Sequence, residues 1–297
     1  MSLPPRAVIV HRRTELDELL ARHATRQQAA FFLRTRGQDI DEIETRAAAQ
    51  RAAVAAVAAA IPVDWRRGQV ERADLDRFLF EPEDVVIAVG QDGLAANVAK
   101  YLKGQPVVGI DPEPARNPGV LVRHPAEAAR DLLNDVVRGK ARIQRRSMVE
   151  ARLDDGQALM AVNEVYVGHR GHQSARYRLS LPDGRSERQS SSGLLAGTGT
   201  GATGWLRSVW QERHSQLALP APEARELCWF VREAWPSPAT GTELTEGLLD
   251  DRAALSIVAE TDQLVAFGDG IEQDTLALSW GQRLTVAVAG RTLNLAA

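Results

Sequence analysis

The groups in this 297-residue sequence best suited to handling phosphate or moving a proton lie in four short segments. The first is Gly90-Gln91-Asp92-Gly93, a carboxylate framed by glycines. A carboxylate beside phosphates can accept a hydroxyl proton during phosphoryl transfer, and glycine lets backbone approach an anion with no Cβ in the way. Asp-Gly is also a common turn pair, so this segment alone is not specific. The second is the run 190–205, which holds Gly193, Gly197, Gly199, Gly201 and Gly204 together with Thr198, Thr200 and Thr203. Exposed amides and hydroxyls at that density suit a polyanionic ligand. A flexible linker is the alternative, and the flanking Leu194, Leu195 and Trp205 argue against it. The third is the pair Asn163-Glu164, set inside an apolar stretch, and the fourth is Gly268-Asp269-Gly270 near the end of the chain.

The surrounding patterns say what must position these groups. Val85-Val86-Ile87-Ala88-Val89 is a continuous apolar run, as in a parallel strand covered on both faces. The Asp92 turn follows it, then a helix over 94–103 and another strand over 106–110. This is one βαβ unit with an expected right-handed crossover. Ligands of open α/β sheets sit beyond the carboxyl ends of strands, where this turn lies, and the following helix N-terminus can receive phosphate. Upstream, residues 7–11 read as a buried strand, and apolar spacing predicts helices over 15–23, 26–36 and 39–60. A strand is expected over 63–66, a surface connection over 72–76 and a helix over 127–138. From residue 142 the texture changes to short strands, expected over 147–153, 158–167, 175–181 and 194–196, and again over 254–258, 264–267, 275–279 and 283–288. Hairpin turns such as Asp154-Asp155-Gly156 and Pro182-Asp183-Gly184 separate some of them. The expected organisation is an α/β, Rossmann-like domain over 1–125 and a β-rich, sandwich-like domain over 126–297, with the last strands able to return to the first domain and the ligand in a cleft between the two.

In order and rough spacing, the four segments resemble the NAD kinase-like family and its lipid-kinase relatives. Those proteins carry Gly-Gly-Asp-Gly-Thr after a buried strand, then Asn-Glu, then Asp-Gly-Leu-Ile-Val-Ser-Thr-Pro-Thr-Gly-Ser-Thr-Ala-Tyr, then a late Asp-Gly. The resemblance covers about residues 80–290. It implies that Asp92 is the general base or orienter for the acceptor hydroxyl, and that Gly90, Gln91 and Gly93 lie against phosphate. It implies further that Thr198, Thr200, Gly201 and Thr203 contact phosphates or acceptor, and that Asn163, Glu164 and Asp269 hold an NAD-type acceptor. The implied donor is ATP with Mg2+, or polyphosphate, with the magnesium held largely by phosphate oxygens and water. A homo-oligomer, dimer or tetramer, is implied as well.

Several positions depart from the family pattern. Gln91 replaces a glycine, Leu94 a threonine, Gly199 a proline, Ala202 a serine and Trp205 a tyrosine. A positive φ at 91 would make its side chain obstructive, and the changes in the second loop would loosen it. Three activities therefore stand side by side. Asp92 and Asn163-Glu164 favour phosphorylation of NAD to NADP. Gln91 and Leu94 favour a kinase for another hydroxyl, on a lipid or small metabolite. Gly199 and Ala202 permit a catalytically silent NAD(P) or nucleotide sensor.

Composition narrows the partners. A net charge of −3 lacks the basic stripe of a nucleic-acid binder. Cys228 is the single cysteine; it excludes an internal disulfide framework and reads as a small core residue. No apolar stretch reaches the roughly 20 residues that span a bilayer, and the N-terminus lacks the plan of a secretory signal, so the expected location is cytoplasmic. His169 and His172 have a metal-compatible spacing but read as turn histidines, and no metal ligand set is assigned. Lys140, Arg142, Arg145 and Arg146 read as a solvated strand entrance. The stretch 22–36, with Arg22, His23 and Arg36 beside Phe31 and Phe32, reads as a packing helix or as a lid over an anion.

Overall fold

The computed structural model describes residues 4–114, 116, 119–171 and 173–297, with Gln273 as backbone only. The chain forms two compact units, Met1–Gln144 with Asn294–Ala297, and Arg145–Leu293.

The first unit is α/β. Its strands are β1 (Arg6–His11), β2 (Arg66–Glu71), β3 (Asp84–Val89) and β4 (Pro106–Ile110), and its helices are α1 (Glu15–His23), α2 (Arg26–Arg34), α3 (Ile40–Ala60), α4 (Asp92–Ala99) and α5 (Ala129–Val137). The sheet runs β2-β1-β3-β4 with every pair parallel, and residues 294–296 add to β4, also in parallel. β3 is buried at every position, as its unbroken apolar run predicts. Arg6 and Asp84 face each other in register at the start of β1 and β3. The guanidinium donates from Nε and Nη2 to the two carboxylate oxygens, each at 2.7 Å, which makes a fully buried aspartate tolerable.

α1 starts at a capping box. Thr14 caps it through its hydroxyl, and the Asp17 carboxylate accepts the Thr14 N–H in return. The long Ala-rich α3 serves two clusters. Ala53, Val57 and Ile61 pack on the sheet residues Ala7, Ile9, Val85 and Ile87, while Ile40, Ile43 and Ala47 pack with Leu16, Leu19, Ala29 and Leu33 of α1 and α2. The expected strand at 63–66 is a turn whose Val63 is 94 % exposed. The strand begins only at Arg66, as a polar edge in which charged side chains face solvent. A domain boundary at 125 would fall before α5, whose Ala129 and Leu133 are core residues of this unit.

The second unit is an antiparallel sandwich. Its strands are β5 (Ile143–Leu153, entering from the first unit), β6 (Ala158–Ala161), β7 (Glu164–His169), β8 (Ala175–Ser180), β9 (Ser186–Ser191), β10 (Gly193–Gly197), β11 (Glu226–Arg232), β12 (Glu246–Asp250), β13 (Ala254–Ala259), β14 (Leu264–Gly268), β15 (Ile271–Leu278) and β16 (Arg283–Ala296), with one helix, α6 (Trp205–Glu212). One sheet has the order β12-β11-β10-β7-β14-β15; in the other, β9, β8, β13 and the first part of β16 are neighbours, and β5 pairs with β6 and β16. Clean alternation in β8 and β13 places Tyr177, Leu179, Leu255 and Ile257 against Val165, Val167, Leu194 and Trp229 of the six-stranded sheet. The outer face of that sheet is covered by α6, where Leu206 and Val209 meet Leu195, Cys228 and Phe230. Cys228 is thus a core residue; burial raises its thiol to about 12.

The backbone after β4 sets the local shape of the first unit. Residues 121–122 lie so close to β4 that a Cβ on Gly109 would meet Leu121 O at 2.1 Å and Val122 Cα at 2.7 Å. Gly109→Ala is therefore expected to lower the unfolding free energy by about 3 kcal/mol or more, read as a shift in urea midpoint at unchanged slope.

Candidate active site

In the first unit, Asp92 opens α4 at the carboxyl end of β3. Its side chain is half-buried and fully directed. Oδ2 accepts the N–H of Val120 at 2.7 Å, and Oδ1 accepts those of Leu121 and Val122 at 2.8 and 2.9 Å. Of about four lone-pair sites on a carboxylate, one on Oδ2 stays open to a ligand hydroxyl. Gly119 completes the fit, since a Cβ there would stand 2.7 Å from Asp92 Oδ1. Gln91 is the N-cap of α4 with φ −101°. A side chain is thus no obstacle at that position, which removes the steric objection to Gln91. Gly93 is exposed, and a Cβ built on it meets nothing within 4 Å. Neither conformation nor packing demands glycine there. Leu94, in place of a threonine, is buried.

A cleft of about 440 Å³ opens beside this turn, at the carboxyl ends of β1, β3 and β4. Gly90, Gln91 and Asp92 line it with Arg12, Arg13, Thr14 and Glu15 after β1, with Arg46 and Gln50 of α3, and with Asp111, Glu113 and Arg116 after β4. None of these cations was singled out by motif reading. The available signal was position, because Arg12 and Arg13 directly follow a buried strand whose carboxyl end faces the ligand side of such sheets.

In the second unit three of the four segments come together. The expected single strand over 158–167 breaks at Val162-Asn163, between β6 and β7. The Asp269 carboxylate accepts both of the freed amides, from Asn163 at 2.7 Å and Val162 at 3.1 Å, while its own N–H donates to Glu164 O. Asp269 adopts φ +54°, a left-handed conformation that aspartate tolerates better than most residues. On the other side Thr198 donates from its hydroxyl to Val162 O at 2.6 Å and from its N–H to Asn163 O at 2.9 Å. The same hydroxyl accepts the N–H groups of Thr200 and Gly201.

These contacts correct the picture of an open, loose glycine loop. Thr198 and Thr200 are buried, and of the three threonines only Thr203 is exposed, with its hydroxyl donating to Thr200 O. The glycines are packing devices. A Cβ on Gly201 would meet Asn163 O at 2.3 Å, and one on Gly199 would meet Ala221 O at 2.2 Å. Trp205 stacks on Tyr166 with ring centroids 5.7 Å apart, in the cluster beneath α6.

Glu164 is the electrostatic outlier. It is 8 % exposed and its carboxyl has no hydrogen bond among the described residues. Burial first, and the neighbouring Asp269 charge second, push it up to about 8. At neutral pH it is mainly the protonated acid, able to donate as well as accept. Arg146 was the one misread cation of its cluster. It is 2 % exposed and its Nη1 donates to Thr200 Oγ1 at 3.4 Å, whereas Arg145 beside it is exposed.

No protein-family model matches the sequence. The chain is 24 % identical over 230 residues to an NAD kinase of Chlorobaculum tepidum, covering 76 % of this chain and 75 % of that one. It is 27 % identical over 201 residues to an NAD kinase of Halorubrum lacusprofundi, covering 65 % and 68 %. Among solved structures, an Archaeoglobus fulgidus NAD kinase in complex with ATP superimposes with TM-score 0.61 at 15 % identity, over 98 % of this chain and 93 % of that one. Yeast NADH kinase complexed with NADH gives 0.64 at 12 % identity, over 99 % and 84 %.

The chain has the fold of NAD kinases and is similar to them in sequence. His172 lies outside the described residues. His169 accepts the N–H of Gly171 through Nδ1, as a turn residue does. In the 22–36 stretch, the Phe32 ring lies 4.4 Å from that of His23 and 3.7 Å from the Arg36 guanidinium, and Arg22, Phe31 and Arg36 line a cavity with them.

Because the fold favours the neutral form of Glu164, its contribution to stability is full below about pH 4.5 and is lost as pH rises towards 8. The whole effect is at most about 5 kcal/mol. Glu164→Gln keeps the neutral shape, so its melting temperature is expected to exceed that of the wild type increasingly between pH 5 and 9, which paired melts at each pH would read.

Proposed function

We propose that the protein is an ATP-dependent kinase that phosphorylates NAD to NADP, with inorganic polyphosphate as the alternative donor. The observation that carries this reading is the Asp92 carboxylate, aimed by three backbone amides and left with one open acceptor site beside a cleft lined by both arginines and carboxylates. Its NAD kinase relatives agree with that chemistry. In the reading, Asp92 accepts the hydrogen of the acceptor hydroxyl through Oδ2 and so turns the hydroxyl oxygen toward the γ-phosphorus. Gly90, Gln91 and Gly93 face phosphate, and Gly93 keeps its Cβ-free surface for that approach. Asn163 and protonated Glu164 hold the acceptor by hydrogen bonds, in the backbone frame supplied by Thr198, Gly201 and Asp269. Thr200 and Thr203 complete that frame.

Among the described residues no group of three or more His, Cys, Asp or Glu gathers as a metal cage. Magnesium fits the chain as an ion arriving with the nucleotide, for which one or two protein carboxylates suffice. Asp111 and Glu113, both lining the cleft, are the residues suited to that role, and the ion would neutralise phosphate charge. No helix among the described residues is long and apolar enough to cross a membrane. A cytoplasmic location and a homo-oligomer belong to the same reading.

Purified protein given ATP, magnesium and NAD is expected to form NADP, read by a coupled dehydrogenase. Asp92→Asn must place an amide donor against at least one backbone N–H, so it is expected to lose about 1–3 kcal/mol of stability along with turnover. Gly93→Ala separates the two effects. Alanine should raise helix stability by about 0.5–1 kcal/mol yet lower turnover at least tenfold if phosphate lies against this residue. Full activity in Gly93→Ala would remove the phosphate contact from the reading, and absence of NADP from the wild type would remove the reading itself.

A further inference from the structure

The helices between β1 and β2 lie outside the motif resemblance, yet α3 builds one wall of the Asp92 cleft. It is tied there by Gln50, whose Nε2 donates to Val89 O at 2.7 Å, one residue before Gly90. Arg46 lies one helical turn earlier on the same face, as a spacing of four requires, and it lines the same cleft. Its Nη2 pairs with Glu15 Oε2 at 2.9 Å. Its Nε is buried and has no hydrogen-bond partner among the described residues.

A buried N–H without an acceptor is costly, the more so on a charged group. Nε and Nη2 form the side edge of a guanidinium, the fork that suits two oxygens of one carboxylate or phosphate. Arg6 uses that edge in full on Asp84; Arg46 uses half of it. The other carboxylates of the cleft have partners of their own, Glu113 in Arg116 at 3.8 Å. Asp92 holds three amides, and Asp111 accepts the Glu113 N–H at 2.8 Å. Glu15, in contrast, is an exposed first residue of α1, free to give way.

We propose that Arg46 binds a phosphate of the polyphosphate donor through Nε and Nη2, in competition with Glu15. The proposal rests on the kinase reading above and adds a donor-binding residue from outside its motifs. The pair makes donor affinity depend on two opposite charges. Removing the cation weakens binding, and removing the anion strengthens it.

The test is calorimetric titration of tripolyphosphate and of magnesium ATP into wild type, Arg46→Gln, Arg46→Lys and Glu15→Gln, with steady-state KM values alongside. Arg46→Gln is expected to weaken both ligands at least tenfold and raise KM for ATP to match, leaving KM for NAD within twofold. Arg46→Lys keeps the charge but not the fork and should fall between. Glu15→Gln is expected to tighten both ligands severalfold, a gain that damage to the fold cannot produce. Unchanged binding in Arg46→Gln, no gain in Glu15→Gln, or no binding of either ligand by the wild type overturns the proposal. NADP formation with Arg46-independent ATP binding would overturn Arg46 alone. Arg46-dependent ATP binding without NADP would overturn the kinase reading and leave the phosphate site.

Discussion

The grip of the Asp92 carboxylate on the amides of Val120, Leu121 and Val122 is the constraint on which the first unit's site depends. Three successive N–H groups after β4 point away from any strand partner, and one side chain from the adjacent βα turn satisfies them all. That brings residues 121–122 hard against β4, where Gly109 has no room for a Cβ, and folds the segment on itself at Gly119, where a Cβ would meet Val122 O and Asp92 Oδ1. The cleft between this segment and α3 exists because the backbone is drawn in at that point. The residue proposed to act on the acceptor hydroxyl is therefore also a structural anchor, through charge-assisted hydrogen bonds to backbone.

The second unit solves an equivalent problem in the same way. β6 and β7 would be one strand but for the break at Val162-Asn163, and Asp269 collects the two amides released there. Thr198 fixes the opposite side of the break. Each unit thus uses one aspartate to order irregular backbone next to its candidate binding groups. Glu164 is the exception that reveals the cost. Nothing among the described residues donates to its buried carboxyl, so it gives up its charge instead.

What could be read in the sequence follows from what leaves a local mark. β3 is an unbroken apolar run, and α1 has its apolar residues at helical spacing, so both are legible with their bounds nearly right. β9, with the sequence Ser-Glu-Arg-Gln-Ser-Ser, is held only by pairing with β8; no local preference announces it. β2 was displaced because its polar edge residues look like a loop. The break between β6 and β7 depends on an aspartate more than a hundred residues away, which periodicity cannot register. The glycines of 197–201 were visible, but their reason was not. They are small because Asn163 and Ala221 press on them, and such contacts exist only in three dimensions. Arg146 and Arg145 are neighbours of one type, and only the packing of β5 distinguishes a buried hydrogen-bonded cation from a solvated one.

β16 supplies residues to both units, and this bears on how the chain folds. β4 finds its outer neighbour in residues 294–296, so that Asn294 donates to Gly104 O across a separation of 190 residues. Pairing of such range closes slowly, because the entropy of the intervening loop is lost before the contact repays it. Residues 145–293 between them make their own core, so their prior collapse shortens the effective loop. The parallel sheet of the first unit would then gain its last strand late, after the sandwich has formed, and the rate of that step would report on the folding of a unit in which it takes no part.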